Sequence, residues 1–234
     1  MEQLKEKFYT NFIAEQRWRY VTEGLSTTFI VTIFAILLGI VIGFIVAIIR
    51  STADRKVTKK GIILSAADGI CRFYLTVIRG TPVMIQLLIM YYVIFTSPDI
   101  SKRFVAILSF GINSGAYVAE ILRSGIMSIE KGQFEAGRSL GLTYIQTMRH
   151  IIIPQAFRNV LPAVANEFIC LLKETSICGY IALTDITHGA NVIRSQTYEP
   201  LMPLLAAAFI YLLVVTLMSI GVTRLEKKLR TDER

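Results

Sequence analysis

Glu130 to Pro154 reads EKGQFEAGRSLGLTYIQTMRHIIIP, a polar stretch set inside a strongly apolar chain. Of the 234 residues, 53% are hydrophobic, and the mean hydropathy is +0.55. Those values belong to an integral membrane protein rather than a soluble domain. The stretch is then a loop at a membrane face, and its residues predict an ordered one. A short helix is expected to begin near Gly132 and to carry small residues at Ala136, Gly137 and Gly141, which let a second protein approach the backbone closely. Glu135 offers a carboxylate to a basic partner. Gly141, after Leu140, reads as a helix stop, and Thr143 is placed to cap a second helix. Such a knob suits a groove on a soluble partner. The plainer reading is a polar turn between two membrane helices, and helix-glycine-helix alone would favour it.

Outward from this loop, the apolar runs predict five crossings. The first covers residues 25–49, long enough at about 1.5 Å per residue to cross about 30 Å of hydrocarbon. Gly39 and Gly43, four apart, form a close-packing face. Arg50, Arg55, Lys56, Lys59 and Lys60 follow, which places that end in the cytoplasm and the N-terminus outside. Residues 4–22 are amphipathic in part, with Trp18 and Tyr20 as interfacial anchors, so a helix lying on the membrane surface is expected there.

The second crossing is awkward. Its clean apolar run, Val83–Phe95, covers only about 20 Å, so the helix must recruit residues from about Ile70. That draws Arg79-Gly80-Thr81-Pro82 into the membrane, where Gly and Pro break the helix and free backbone groups. Arg79 must then face a polar interior, pair, or snorkel to the cytoplasmic side. The third crossing, 104–129, carries Asn113, Tyr117, Glu120 and Ser124 in steps of four, three and four. They form one polar stripe, which faces protein or water rather than lipid. Such a stripe also serves simply to hold helices together; the pathway reading is preferred for Glu120 and Asn113, and Tyr117 and Ser124 are read as packing.

The fourth crossing, 155–181, is entered past Pro154 and Pro162 and holds Lys173-Glu174-Thr175-Ser176 in apolar surroundings. Adjacent opposite charges there must pair or face water, and Lys173 reads equally as brace or pathway. An outer loop, 182–200, leads to the fifth crossing, 201–222, after which Arg224, Lys227, Lys228 and Arg230 mark a cytoplasmic end. Glu135 therefore falls in the cytoplasm.

The spacing now carries a resemblance. Glu135-Ala136-Gly137, three residues, Gly141, nine residues, Ile151, one residue, then Ile153-Pro154 resembles the EAA cytoplasmic loop of ABC importer permeases. Gly137 stands for the second Ala and Ile153 for Leu. Arg79-Gly80-Thr81-Pro82 followed by Gln86, Asn113-Ser114-Gly115-Ala116-Tyr117 and Glu120-Ile121-Leu122-Arg123 resemble the polar amino acid branch. Lys173-Glu174-Thr175-Ser176 stands where that branch usually has Lys-Asp-Thr-Ser, so the acid's arm is one methylene longer. The resemblance runs from Gly24 to Leu229 and tips the loop's reading to the docking knob.

It implies an all-α, integral membrane type I ABC importer permease fold with five transmembrane helices, in the cytoplasmic (inner) membrane. Residues 25–229 would be the permease domain with a coupling loop at 130–154, residues 1–24 an extracytoplasmic or interfacial segment, and 230–234 a cytoplasmic tail. The implied partners are a pair of ABC ATPase subunits that hold ATP and Mg, a second permease subunit (the same chain or a homologous one), and an extracytoplasmic amino-acid-binding protein. Glu135, Ala136, Gly137 and Gly141 would couple to the ATPase. Arg79, Thr81, Gln86, Asn113, Glu120, Lys173, Glu174 and Ser176 would line the substrate pathway. Arg79 and Thr81 suit a carboxylate, Glu120 and Glu174 an ammonium, and Gln86 and Asn113 are orienting amides.

Other classes fit less well. The net charge of +8 clusters beside apolar spans as the positive-inside rule requires, and does not call for nucleic acid. Cys71, Cys170 and Cys178 read as small buried thiols, and the isolated His150 and His188 predict neither a zinc site nor a catalytic triad. No GxxxxGK[ST] stretch occurs, so no ATPase site, cofactor or enzyme activity is expected in this chain itself. Residues 1–24 carry Glu2, Glu6, Glu15 and Glu23 without an apolar core, unlike a secretory signal. An ion-coupled carrier would use the same buried charges but no coupling loop, and usually shows inverted repeats. An intramembrane enzyme would need a nucleophile–base pair or metal ligands.

Overall fold

The computed structural model describes residues 1–55 and 61–231; Lys56, Lys59 and Lys60 of the basic block and residues 232–234 of the tail lie outside the described residues. Every regular element among the described residues is helical. In chain order these are α1 (Glu2–Phe8), α2 (Trp18–Arg55), α3 (Ile62–Gly80), α4 (Val83–Ile89, continued by a π-helical turn Met90–Ile94), α5 (Lys102–Met127) and α6 (Lys131–Ser139). Then come α7 (Tyr144–Thr147), a π-helical turn Met148–Ile152, α8 (Ile153–Glu174) with a 3-10 extension Thr175–Ile181, α9 (Ile186–Thr197) and α10 (Leu201–Thr231).

Three stretches are long and apolar enough to cross a bilayer: Trp18–Asp54, Lys102–Met127 and Leu201–Leu229. The interrupted pair Ile62–Gly80 and Val83–Ile94 makes a fourth if counted as one span. The expected break falls where Gly and Pro stand: Thr81 (φ −123, ψ 146) and Pro82 (φ −64, ψ 135) are extended. Thr81 Oγ1 donates to the Val77 carbonyl at 2.8 Å, which satisfies one of the acceptors freed at the end of α3. Helix α8, the expected fourth crossing, carries Arg158, Glu167, Lys173 and Glu174. Apolarity alone therefore does not count it.

The chain divides into two compact units. The first comprises Met1–Leu37, Pro82–Gly111 and Phe168–Ile220. Its core gathers Ile186, Ala190 and Ala207 with Leu25, Ile210 and Tyr211. The N-terminal segment is not the single surface helix expected from its amphipathicity. Glu15 and Gln16 take left-handed backbone angles (φ 52 and 56), which end the first helical stretch and let Arg17 turn inward. Arg17 donates to Gln196 Oε1 at 3.1 Å and to the Thr10 carbonyl at 2.6 Å. Thr197 Oγ1 donates to buried Asn11 Oδ1 at 2.9 Å, and Lys7 pairs with Glu199 at 3.2 Å. The segment is thus clasped to α9. Helix α9 is capped by Asp185, whose fully buried carboxylate accepts the N–H groups of Thr187 (2.9 Å) and His188 (3.2 Å). Burial pushes that carboxyl above its ordinary range, and the two N–H groups pull it back.

The second unit comprises Leu38–Thr81, Ile112–Glu167 and Gly221–Arg234. The glycine face expected on the first crossing packs against α5 here. A Cβ at Gly39 would stand 3.1 Å from Ser114 Cβ, and one at Gly43 2.7 Å from Val118 Cγ1. Val46, Cys71 and Ala119 are buried together with Ile42, Ile49, Tyr74 and Leu75, so α2, α3 and α5 share a core. Tyr74 Oη donates to the Ile112 carbonyl at 2.6 Å. A second core joins Ile129, Ile152 and Ala156 to Phe134, Met148 and Ile151. It fastens the α5–α8 connection to the helices on either side. Of the three cysteines, Cys71 and Cys178 are buried as expected, whereas Cys170 is exposed on α8.

Candidate functional site

Two sites emerge in the second unit. The loop from Glu130 to Pro154 folds as its residues predict. Helix α6 starts at Lys131 and ends in a Schellman motif. Leu142 N–H reaches the Gly137 carbonyl at 3.0 Å and Gly141 N–H the Arg138 carbonyl at 2.9 Å, with Gly141 at φ +77. That backbone conformation favours glycine. Thr143 then caps α7 in a reciprocal box: Thr143 N–H donates to Gln146 Oε1 at 2.8 Å and Gln146 N–H to Thr143 Oγ1 at 3.4 Å.

The two small residues before Gly141 divide their work. Ala136 is exposed beside exposed Glu135, but Gly137 is buried. A Cβ at Gly137 would meet Thr147 Cγ2 at 2.6 Å. Its smallness therefore serves the packing of α6 on α7 rather than a partner's approach. Leu140 (77% exposed) and Ile145 (76% exposed) complete a mixed apolar and acidic knob. A cavity of about 650 Å³ beside it is lined by Phe134, Arg138, Leu142, Tyr144 and Thr147.

The second site is a cavity of about 390 Å³ between α3, α5 and α8. Arg79, from the last turn of α3, stands 3.6 Å from Glu120 on α5 and lies against the Tyr117 ring at 5.9 Å. Glu120 also takes two hydrogen bonds from Arg123, one turn along, the longer at 3.3 Å from Nε. Its carboxylate is thus shared by two guanidiniums. Helix α8 contributes Asn159, Ala163 and Glu167. Asn159 Nδ2 donates to Ser128 Oγ at 3.0 Å, and Ser114 Oγ donates to Glu167 Oε1 at 2.8 Å.

Of the pathway residues expected from sequence, Arg79 and Glu120 meet at this cavity. Thr81 lies exposed at the adjacent helix break. Asn113 is 3% exposed and lies off the cavity wall, whereas Tyr117 and Ser124, read as packing, line it. Gln86, Lys173, Glu174 and Ser176 belong to the first unit. There Lys173 is exposed, while Gln86, Glu174 and Ser176 are half-buried. Glu167, Ser128 and Asn159 are not among the pathway residues expected from sequence, although Glu167 shares a face of the fourth crossing with Glu174. Asn159, Ala163 and Glu167 recur every fourth residue, and that spacing on α8 was the available signal.

Comparison with known proteins agrees with this architecture. Residues 62–231 match the family described as binding-protein-dependent transport system inner membrane component. The putative glutamine transport system permease protein GlnP of Rickettsia typhi is 36% identical over 225 residues, 95% of this chain and 96% of that protein. The arginine transport system permease protein ArtQ of Bacillus subtilis is 33% identical, over 92% of this chain and 94% of that one. A crystal structure of an amino acid ABC transporter with histidines superposes with a TM-score of 0.82 at 35% identity, covering 93% of this chain and 98% of that chain.

Proposed function

The chain belongs to the binding-protein-dependent transport system inner membrane components, and from that premise we propose that it is the permease subunit of an ATP-driven importer of a polar amino acid. The observation that carries this reading is the loop at 131–147, a capped helix pair with Glu135 and Ala136 outward. It is anchored through Phe134 and Met148 to the ends of α5 and α8. A knob so mounted passes a push from a partner into the helices that line the cavity. The partner is an ABC ATPase pair that binds ATP and Mg; this chain supplies no nucleotide site. A second permease subunit and an extracytoplasmic amino-acid-binding protein complete the assembly.

The chain crosses the cytoplasmic membrane five times, with α8 and its 3-10 extension as the fourth crossing. The N-terminus is outside, and the C-terminus and the loop are inside. Closure of the ATPases moves the docked loops and shifts the permease between inward- and outward-open states. ATP and substrate bias that equilibrium only through different affinities for the two states. At the cavity, Arg79 takes the substrate carboxylate, and Glu120, with Tyr117, holds the guanidinium toward it.

The test is reconstitution of the subunit with its ATPase and binding protein in proteoliposomes. ATP-driven uptake of an amino acid is expected. Glu135→Lys and Gly141→Arg should abolish uptake and its stimulation of ATP hydrolysis while the complex still folds. Wild-type coupling in both variants would refute the role of the loop, and uptake without ATP would refute the reading as a whole.

A further inference from the structure

We propose that the junction of α4 and α5 holds a binding site for the phosphate of an anionic phospholipid, with Lys102 as its cation. The site rests on the chain being a membrane protein; only its assignment to the outer leaflet rests on the proposed topology. A cavity of about 550 Å³ lies where the π-helical turn Met90–Ile94 runs into the loop before α5. Tyr91, Tyr92 and Phe95 give its wall aromatic surface, and Thr96, Ser97, Ser101 and Lys102 give it hydroxyls and a cation. Tyrosines collect at the boundary between membrane and water, which sets the cavity at the depth of lipid headgroups. Among the described residues Lys102 is the one charged side chain on the wall; Asp99, in the same loop, is not part of it.

The Lys102 ammonium lies over the Tyr91 ring at 6.0 Å and donates to the Ala182 carbonyl at 3.2 Å. Both partners are uncharged, so they place the positive charge without neutralising it, and an ammonium has three donors to share. Two features then choose the ligand. Ile85, Ile89 and Val93 are exposed at every fourth position of α4 and its π-helical turn. They form an open apolar track toward the cavity end of the helix, which suits an acyl chain and not a free anion. The wall offers no carboxylate to the ammonium of a zwitterionic headgroup, whereas Thr96, Ser97 and Ser101 offer hydroxyls to a glycerol headgroup. The site also stands at a joint. Tyr92 Oη donates to the Tyr180 carbonyl at 3.3 Å, two residues before the carbonyl that Lys102 holds, so the wall ties the end of α4 to the end of the 3-10 extension. A lipid bound there should steady that joint and raise the melting temperature.

The experiment follows melting of the purified permease–ATPase complex in detergent as one of three probes is added. They are dioleoyl-phosphatidylglycerol, dioleoyl-phosphatidylcholine and inorganic phosphate. In the wild type, half-maximal stabilisation should need about tenfold less phosphatidylglycerol than phosphatidylcholine, the worth of one charge-assisted hydrogen bond. Inorganic phosphate at the same concentrations should have no effect. Lys102→Gln keeps a donor for the Ala182 carbonyl and should raise the phosphatidylglycerol requirement by about tenfold, to that of phosphatidylcholine. Arg19→Gln removes an exposed base that lies over Trp18, outside the cavity, and should leave the preference unchanged.

No preference for phosphatidylglycerol in the wild type, inorganic phosphate as effective as the lipid, a preference that survives Lys102→Gln, or an equal loss in Lys102→Gln and Arg19→Gln would each overturn the proposal. If Lys102→Gln does not assemble, Ser97→Phe decides in its place: it fills the cavity from an exposed position in the loop and should abolish the preference. ATP-driven uptake by the wild type keeps the two readings apart. Uptake without a lipid preference removes only the lipid site, whereas a lipid preference without any amino acid uptake removes only the transport reading.

Discussion

Asp68 and Glu120 each lie between two arginines. Asp68, on α3, accepts from Arg50 of α2 at 3.0 Å and from Arg72, one turn along, at 3.2 Å, and Arg72 also lies within 3.9 Å of Asp54. Glu120, on α5, accepts from Arg123, one turn along, and faces Arg79 of α3. Residue types and helical spacing are nearly the same, but access is not. The Asp68 side chain is 7% exposed and Arg50 18%, with Arg72 alone open at 58%, whereas Glu120 is 29% and Arg79 44% exposed, and both of these face a cavity. A carboxylate closed off as Asp68 is can only brace the helices around it. A triad open at both carboxylate and arginine keeps donors for a ligand. On the proposed reading, burial of the carboxylate, more than chemical identity, separates brace from site.

The largest effect is expected at the closed triad. Asp68→Asn removes the charge that both guanidiniums share and should cost about 3–5 kcal/mol. The readout is a lowered melting temperature of the purified complex in detergent. Unchanged melting would erase the distinction drawn between the two triads.

A smaller effect sharpens the comparison with a third carboxylate. Asp185 is fully buried yet is held by backbone N–H groups rather than by arginine. Asp185→Ala removes a helix cap and should cost about 1 kcal/mol, while Asp185→Asn keeps an acceptor for the same N–H groups and should melt at or above the wild type at pH 7. The sign follows from the raised carboxyl. A folded value above the unfolded one makes ionisation unfavourable to folding. The wild type therefore gains on Asp185→Asn as pH falls through the folded value and below the ordinary aspartate value of about 3.9. A melting difference that does not move with pH would contradict this account.

How legible these features were in the sequence depended on whether their cause was local. Gly141 as helix stop, Thr143 as cap and the break at Thr81-Pro82 are backbone matters settled within a few residues, and each stands where the sequence puts it. The face of Gly39 and Gly43 was readable because close packing of helices needs small residues at that spacing. Pairings between helices were not readable. Arg50 reads as a cytoplasmic anchor, but its partner Asp68 lies 18 residues on, in another helix. The polar stripe of α5 was visible, yet its division was not. Asn113 turns into the packed interior and Tyr117 toward the cavity, because the neighbouring helices decide which side of the stripe is open. Glu167 and Glu174 share a face of the fourth crossing by their spacing, but that Glu167 reaches the cavity is settled by how α8 packs, which the spacing does not give. Gly137 taught the reverse: standing where the family has Ala, it is matched to Thr147 inside the loop.

The most direct test of the central claim is Glu120→Gln, with uptake and melting measured on the same reconstituted preparation. The open triad predicts melting lowered by no more than about 1 kcal/mol equivalent, as for a partly exposed ion pair. Uptake should fall by about tenfold or more, because Arg79 loses the partner that aims it. A loss of stability as large as that of Asp68→Asn, with uptake reduced only in proportion to the folded protein remaining, would contradict the account and make both triads braces.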